Sequence, residues 1–107
     1  PPGILPRQQR AGGGAADSYL ASLLRHLNAF REYPAAARRR GQEGRVVVLG
    51  RLHPDGSVAG AALENGSGHE LLDMAAMAMV RRASPFPPPP PQAPQHVRFP
   101  IDFALQR

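Results

Sequence analysis

Four histidines, His26, His53, His69 and His96, are the only side chains here that could act as imidazole ligands or as bases titrating near neutral pH. No two of them stand at a metal-ligand spacing, and the chain has no cysteine, which excludes a thiolate site and a disulfide framework. Solvent-facing histidine is the expectation. No serine, histidine and acid arrangement, and no carboxylate pair with an obvious pocket, argues for catalysis. The glycine turns GQEGR (41–45) and ENGSG (64–68) lack the lysine and following hydroxyl of a phosphate loop. The sequence therefore reads as a binding protein with no cofactor and no metal, not as an enzyme.

What remains is main-chain chemistry. In HVRFPIDFALQR (96–107), Val97, Phe99, Ile101, Phe103 and Leu105 alternate with Arg98, Pro100, Asp102 and Ala104, the clearest strand signal in the chain. Proline has no N–H, so within a sheet it is confined to an edge, a strand start or a bulge. Backbone groups alternate sides as side chains do. With Pro100 facing the open side, Arg98, Asp102 and Ala104 face it too, and the odd-numbered residues pair inward. Such an edge is either blunted by its proline and charges or available for binding, and sequence physics alone leaves the choice open.

The strand needs a sheet. GRVVVLGRLHPDGSVAGAALEN (44–65) supplies a hairpin, with Val46, Val48, Gly50 and Leu52 on one face and Pro54-Asp55-Gly56 as the turn. Val58, Ala61 and Leu63 break strict alternation, which predicts a bulge near Gly60. Gly50 leaves an expected gap on the inward face, whereas Val47 and Leu49 make the outward face partly apolar. Upstream, Leu20, Leu23, Leu24, Leu27 and Phe30 form a helical stripe. It is capped by Asp17 or Ser18 and should end near Arg31 or Glu32, because Pro34 disfavours helical geometry at Tyr33. Pro34 then opens a short helix that Gly41 stops. A second long helix follows, with Ser67 and Glu70 in a capping-box pattern and Leu72, Ala75, Ala76, Met79 and Ala83 on one face.

Residues 1–16 lack apolar periodicity and read as a flexible Pro/Gly-rich linker end; residues 17–107 read as one domain. SPFPPPPPQAP (84–94) resembles a linker or a docking peptide, but the strand beyond it has no other sheet to join. Extended as polyproline II, residues 84–95 span up to ~37 Å, ample to return along a helix of ~24 Å. The run is thus an internal crossover, with the added prolines, residues 89–94, as a stiff surface segment. The fold class is α+β: two main helices plus a short one on a three-stranded antiparallel sheet, the last strand at an open edge.

All thirteen basic residues are arginine, and the formal net charge is +5. The Ala, Gly and Pro richness suggests GC-rich coding. The densest charge, Arg38, Arg39 and Arg40 with Arg45 nearby, reads as the cationic end of a solvated short helix. Nucleic acid is not an expected partner: no basic stripe is interleaved with exposed aromatics. No apolar run approaches the ~20 residues of a membrane span, and no signal peptide is visible; an anchor or export signal would lie outside this sequence.

Tyr33-Pro34, GRVVVLGRLHPDGSV (44–58), LLDMAAMAMVRRASPFPP (71–88) and FPIDFAL (99–105), in that order, resemble the C-terminal domain of the TonB family. The resemblance covers roughly residues 18–107. It implies a periplasmic domain of an energy transducer anchored in the inner membrane of a Gram-negative bacterium. That transducer works with the ExbB–ExbD motor through an N-terminal part and serves uptake of siderophores, haem or metal complexes. The domain grips the TonB box, an extended peptide of an outer-membrane transporter, by adding it as a strand. The implied contact strand is Val97, Arg98, Phe99, Pro100, Ile101, Asp102, Phe103, Ala104 and Leu105. Arg31, Glu32, Tyr33 and Pro34 match the corner that the family places beside the box. Peptidoglycan is a candidate second contact, and the domain is expected as a monomer or weak dimer.

Gly50, Val47 and Leu49 depart from the family pattern. The first questions the core packing; the other two suggest an added contact with residues 1–16, a second copy or a dedicated partner, as in a paralogue serving one transporter. The alternatives are a TolA-like envelope adaptor of the same fold with a different peptide partner, or a proline-rich ligand for an SH3-like module.

Overall fold

The computed structural model describes residues 14–91, 93 and 95–105. The chain runs α1 (Gly14–Asn28), α2 (Ala35–Arg39), β1 (Gly44–Leu52), β2 (Val58–Asn65), α3 (Glu70–Arg82) and β3 (His96–Phe103). The strands form one antiparallel sheet in the order β2-β1-β3, so β3 is an edge strand. This is the α+β arrangement the patterning predicts. Of the expected linker, residues 1–13 lie outside the described residues, as do Gln92 and Pro94 of the proline run; residues 14–16 are the first of α1 rather than linker.

Local rules set most boundaries, and four differ from expectation. Helix α1 begins at Gly14, so Asp17 and Ser18 lie within it rather than at its cap. Helix α1 stops at Asn28, before the limit set by Pro34. The next N–H groups, of Ala29, Phe30 and Arg31, instead bond three residues back, to His26, Leu27 and Asn28, the tighter 3₁₀ pattern common at helix ends. Pro34 caps α2 rather than starting it, and Gly41 ends that helix at φ +66°. The expected capping box at α3 is not formed. The Ser67 hydroxyl accepts the His69 N–H at 3.0 Å, and it is Asp73, not Glu70, that accepts from the Ser67 N–H (2.8 Å) and hydroxyl (2.9 Å).

Two residues of β2 have no opposite number on β1. Ala59 is one, beside Gly60 where a bulge is expected; Glu64 is the second. The hairpin closes through His53 N–H to Ser57 C=O (2.9 Å) and Gly56 N–H to His53 C=O (2.8 Å). Asp55 accepts from the Ser57 N–H and hydroxyl, at 2.9 and 2.6 Å, which holds its carboxyl below the usual carboxylate range.

The helices cover one face of the sheet. Leu23 and Leu27 of α1, Leu72, Ala76, Met79 and Val80 of α3, and Val46, Val48, Leu52, Val97, Phe99, Ile101 and Phe103 of the sheet share one core. Val80 joins the expected α3 face, whereas Leu20 of the α1 stripe stays 41% exposed. The expected gap at Gly50 is filled. A Cβ there would meet Phe99 Cε2 at 2.8 Å, so the glycine is the seat of the Phe99 ring. Phe86 lies on that ring, with centroids 5.2 Å apart and planes 23° apart.

Phe86 belongs to the proline run and is buried. Its N–H donates to Gly56 C=O at 2.8 Å. Gly56, at φ +93°, leaves no room for a Cβ, which would lie 2.0 Å from the Phe86 carbonyl oxygen. Ser84 Oγ accepts the Val58 N–H (3.0 Å), and Pro87 C=O accepts the Tyr19 hydroxyl (2.9 Å). The first part of the run is therefore pinned to the hairpin turn and α1, which argues against a free docking peptide. Pro88 and Pro91 are exposed.

Candidate functional site

The hydrogen-bond phase of β3 follows from one bond and a regular register. Leu52 N–H donates to Gln95 C=O at 2.9 Å. From there β1 and β3 pair without a shift, Arg51 opposite His96 through to Gly44 opposite Phe103. Antiparallel partners alternate between bonded and non-bonded pairs. Gln95, Val97, Phe99, Ile101 and Phe103 thus exchange bonds with β1, and the backbone groups of Arg98, Pro100 and Asp102 face away from the sheet. Pro100 stands opposite Val47, its missing N–H on the side where no bond is made.

The sequence-identified strand residues accordingly divide in two. Val97, Phe99, Ile101 and Phe103 have both side chain and main chain turned inward. Arg98, Pro100 and Asp102 are exposed and leave two N–H and three C=O groups along the edge. Ala104 is exposed beyond the strand, and Leu105 N–H is tied back to Glu43 Oε2 at 2.6 Å.

The charges of this strand are drawn back over the outer sheet face. Asp102 receives Arg45 in a two-pronged pair at 2.8 and 3.2 Å. Arg98 crosses β1 to grip Glu64 at 2.7 and 3.0 Å. Hydrogen bonding from Arg45, then the positive charges of Arg45 and Arg31, hold the Asp102 carboxyl below its ordinary range; Arg98 does the same to Glu64. Both pairs are solvent-exposed and individually weak. Their geometric effect is larger: neither charge projects past the edge to obstruct it. The Arg98–Glu64 pair also spans the outer face where Val47 and Leu49 lie, and those two side chains are only half-exposed.

The Tyr33–Pro34 corner sits against the C-terminal end of the same strand. Tyr33 meets Phe103 edge-on, centroids 5.4 Å apart, and its hydroxyl donates to Gln42 C=O. Arg31 lies 5.9 Å over the Phe103 ring, and its Nη2 donates to the Asp102 carbonyl, one of the outward-facing groups. Glu32 faces Arg82 at 3.4 Å instead. The fold thus brings Arg31 and Tyr33 to the edge strand and turns Glu32 toward α3.

Sequence reasoning missed the wall opposite. The end of α1 and β3 enclose a cleft of about 180 Å³ lined by Leu24, Leu27, Asn28, Arg31, Pro100, Ile101 and Asp102. A strand lying along β3 would send alternate side chains into it. Leu24 and Leu27 were legible only as core stripe; that they also share a cleft with Pro100, Ile101 and Asp102 is a tertiary fact. Among the described residues, no group of three or more His, Asp or Glu side chains is arranged to hold a metal.

The comparisons agree with this architecture. A family model described as the Gram-negative bacterial TonB protein C-terminal matches residues 30–105. Protein TonB of Pseudomonas putida is 35% identical over 77% of this chain, a match that covers 34% of the relative. The solution structure of the Helicobacter pylori TonB C-terminal domain superposes with a TM-score of 0.76 at 26% identity, covering 92% of each chain. TolAIII bound to a TolB-derived peptide shares the fold at a TM-score of 0.66 and 22% identity, over 81% of this chain and 73% of that one. The chain spans about a third of the length of the curated relatives it matches. With its three-stranded sheet, open β3 edge and adjoining Tyr-Pro corner, the chain belongs to the TonB C-terminal domain family.

Proposed function

We propose that this chain is the periplasmic binding module of a TonB-type transducer, and that it takes the TonB box of an outer-membrane transporter as a fourth strand along β3. The observation that carries this reading is the phase of the edge: Arg98, Pro100 and Asp102 turn their backbone groups outward. An extended peptide of any sequence can use these groups, so main-chain bonds supply affinity and the cleft beside α1 supplies selectivity. The withdrawn charges of Arg98 and Asp102 and the adjoining corner at Arg31 and Tyr33 support the same reading.

Strand addition also suits a pulling device. Ladder bonds lie across the strand axis, so tension along the strand loads several of them together in shear. The longer protein would supply the inner-membrane anchor and the contact with ExbB–ExbD, with uptake of siderophores, haem or metal complexes as the output. Peptidoglycan contact would fall to the arginines of α2. A TolA-like adaptor shares the fold, but the family match over 30–105 favours the TonB assignment.

Titration of a synthetic TonB-box peptide, followed by backbone amide shifts, tests the proposal. Shifts should concentrate at 97–105, at 30–34 and at Leu24 and Leu27. Shifts confined to β2 or to the proline run would overturn it.

A further inference from the structure

We propose that the β2 edge and the side of α3 beside it form an interface with a second copy of this chain, the copies joining β2 to β2 about a two-fold axis. This surface lies across the sheet from β3, and the inference is independent of what β3 binds.

Of the two edges, β2 is the less protected. Residues 58–63 read VAGAAL, with no charge and no proline, whereas β3 carries Pro100, Arg98 and Asp102 along its edge. An edge without such devices is a template for another strand. Its phase follows from β1. Gly44, Val46, Val48 and Gly50 bond to β3, so Val47, Leu49 and Arg51 bond to Asn65, Ala62 and Gly60. The backbone groups of Ala61 and Leu63 therefore face outward. Nearer the turn, the Val58 N–H is already taken by Ser84 Oγ at 3.0 Å, which confines new pairing to the far part of the strand. An axis through Ala62 sets Ala61 of each copy opposite Leu63 of the other, and both pairs exchange main-chain bonds.

The side chains match across the same axis. Leu63 is 44% exposed and Met74 60%. Glu70, Met74, Met77 and Arg81 stand three or four residues apart and make one stripe of α3. Arg81 brings this stripe to the β2 edge, where it walls a groove of about 440 Å³ with Val58, Ala59, Gly60, Ala61 and Ser84. Leu63 pairs with Val48 on the helix-covered face, so in the joined sheet it lies toward the small side chains of the other copy's groove.

Spacing and charge select a second copy as the occupant. Helix α3 packs on both β1 and β2. Lying between strands ~4.8 Å apart, it stands about 5 Å from the axis, which sets the two α3 helices antiparallel and about 10 Å apart, the spacing of packed helices. Glu70 at the start of one stripe then meets Arg81 at the end of the other, once on each side of the axis. Among the described residues, neither is in an ion pair within its own copy. The joined sheet keeps β3 at both of its ends, so self-association leaves that edge open.

Sedimentation equilibrium of the 107-residue chain should show a reversible dimer. Arg81→Glu should raise its dissociation constant about tenfold, because two exposed attractions become repulsions. Glu70→Arg should do the same, and the double variant, which restores opposite charges across the axis, should recover most of the loss. Ala61→Pro gives β2 the device that β3 carries at Pro100 and should abolish the dimer, while its amide spectrum keeps the dispersion of a folded domain. As concentration rises, amide exchange should slow at Ala61 and Leu63 and not at Arg98 or Asp102. A chain that stays monomeric at millimolar concentration overturns the inference. So does a dimer that the charge swaps leave unchanged, or one that protects Arg98 and Asp102, which would place the contact at β3.

Discussion

Phe99 lies on Gly50 so closely that a Cβ at position 50 would come within 2.8 Å of its ring. Phe86 stacks on the same ring, with centroids 5.2 Å apart, so the ring is held by a second buried partner. Gly50→Val should therefore destabilise the domain by about 1–3 kcal/mol, the usual cost of overpacking a filled core. Urea unfolding measures it; a neutral or stabilising result would mean that the ring can shift.

The two parts of the proline run should behave differently. Phe86→Ala removes a buried ring and should cost about 3–5 kcal/mol. Pro88→Ala, at an exposed position, should cost less than about 1 kcal/mol, chiefly through greater freedom of the unfolded chain. Thermal unfolding of the two variants side by side separates anchor from spacer.

Why one part was legible and the other was not is a matter of range. The period-2 alternation around Pro100, the left-handed glycine at 41 and the Asp-Gly hairpin turn are each decided within a few residues, and each appears where the sequence puts it. Phe86 is surrounded by prolines, and its local composition says linker. Its burial is set by Phe99 and Gly56, which are distant in sequence. Gly50 misled for the same reason: it opens a gap on its own strand, and a neighbouring strand fills it. The backbone phase of β3 could be read from Pro100 alone. The cleft and the contact of Arg31 with Asp102 could not, since they depend on where α1 stops.

The start of α3 offers a local check. Ser67 and Glu70 carry the capping pattern, yet Asp73 makes the bonds to Ser67. Asp73→Ala should cost about 1 kcal/mol, as losing a cap does. Glu70→Ala should stay within about 0.5 kcal/mol. Denaturant midpoints of both variants decide it, and the reverse order would restore the capping box.

Acid should loosen the outer sheet face. Asp102 and Glu64, held by Arg45 and Arg98, have folded-state pKa values below their ordinary ones. Groups shifted in this direction stabilise the fold above their unfolded pKa, about 4. The contribution disappears as pH falls through the lower folded values. Both sites are exposed, so the effect is modest and shrinks with salt. Urea midpoints followed from neutral pH downward should fall less steeply below about pH 4 in Asp102→Asn than in the parent chain. Parallel acid limbs would show that the Arg45 pair contributes nothing.

Amide hydrogen exchange of β3, with and without a TonB-box peptide, tests the central claim most directly. In the free domain the Val97, Phe99, Ile101 and Phe103 amides should be protected by β1, and those of Arg98 and Asp102 should exchange fast. The peptide should slow Arg98 and Asp102 specifically. Protection of those two amides in the free domain, or peptide-induced protection along β2 instead, would contradict strand addition at this edge.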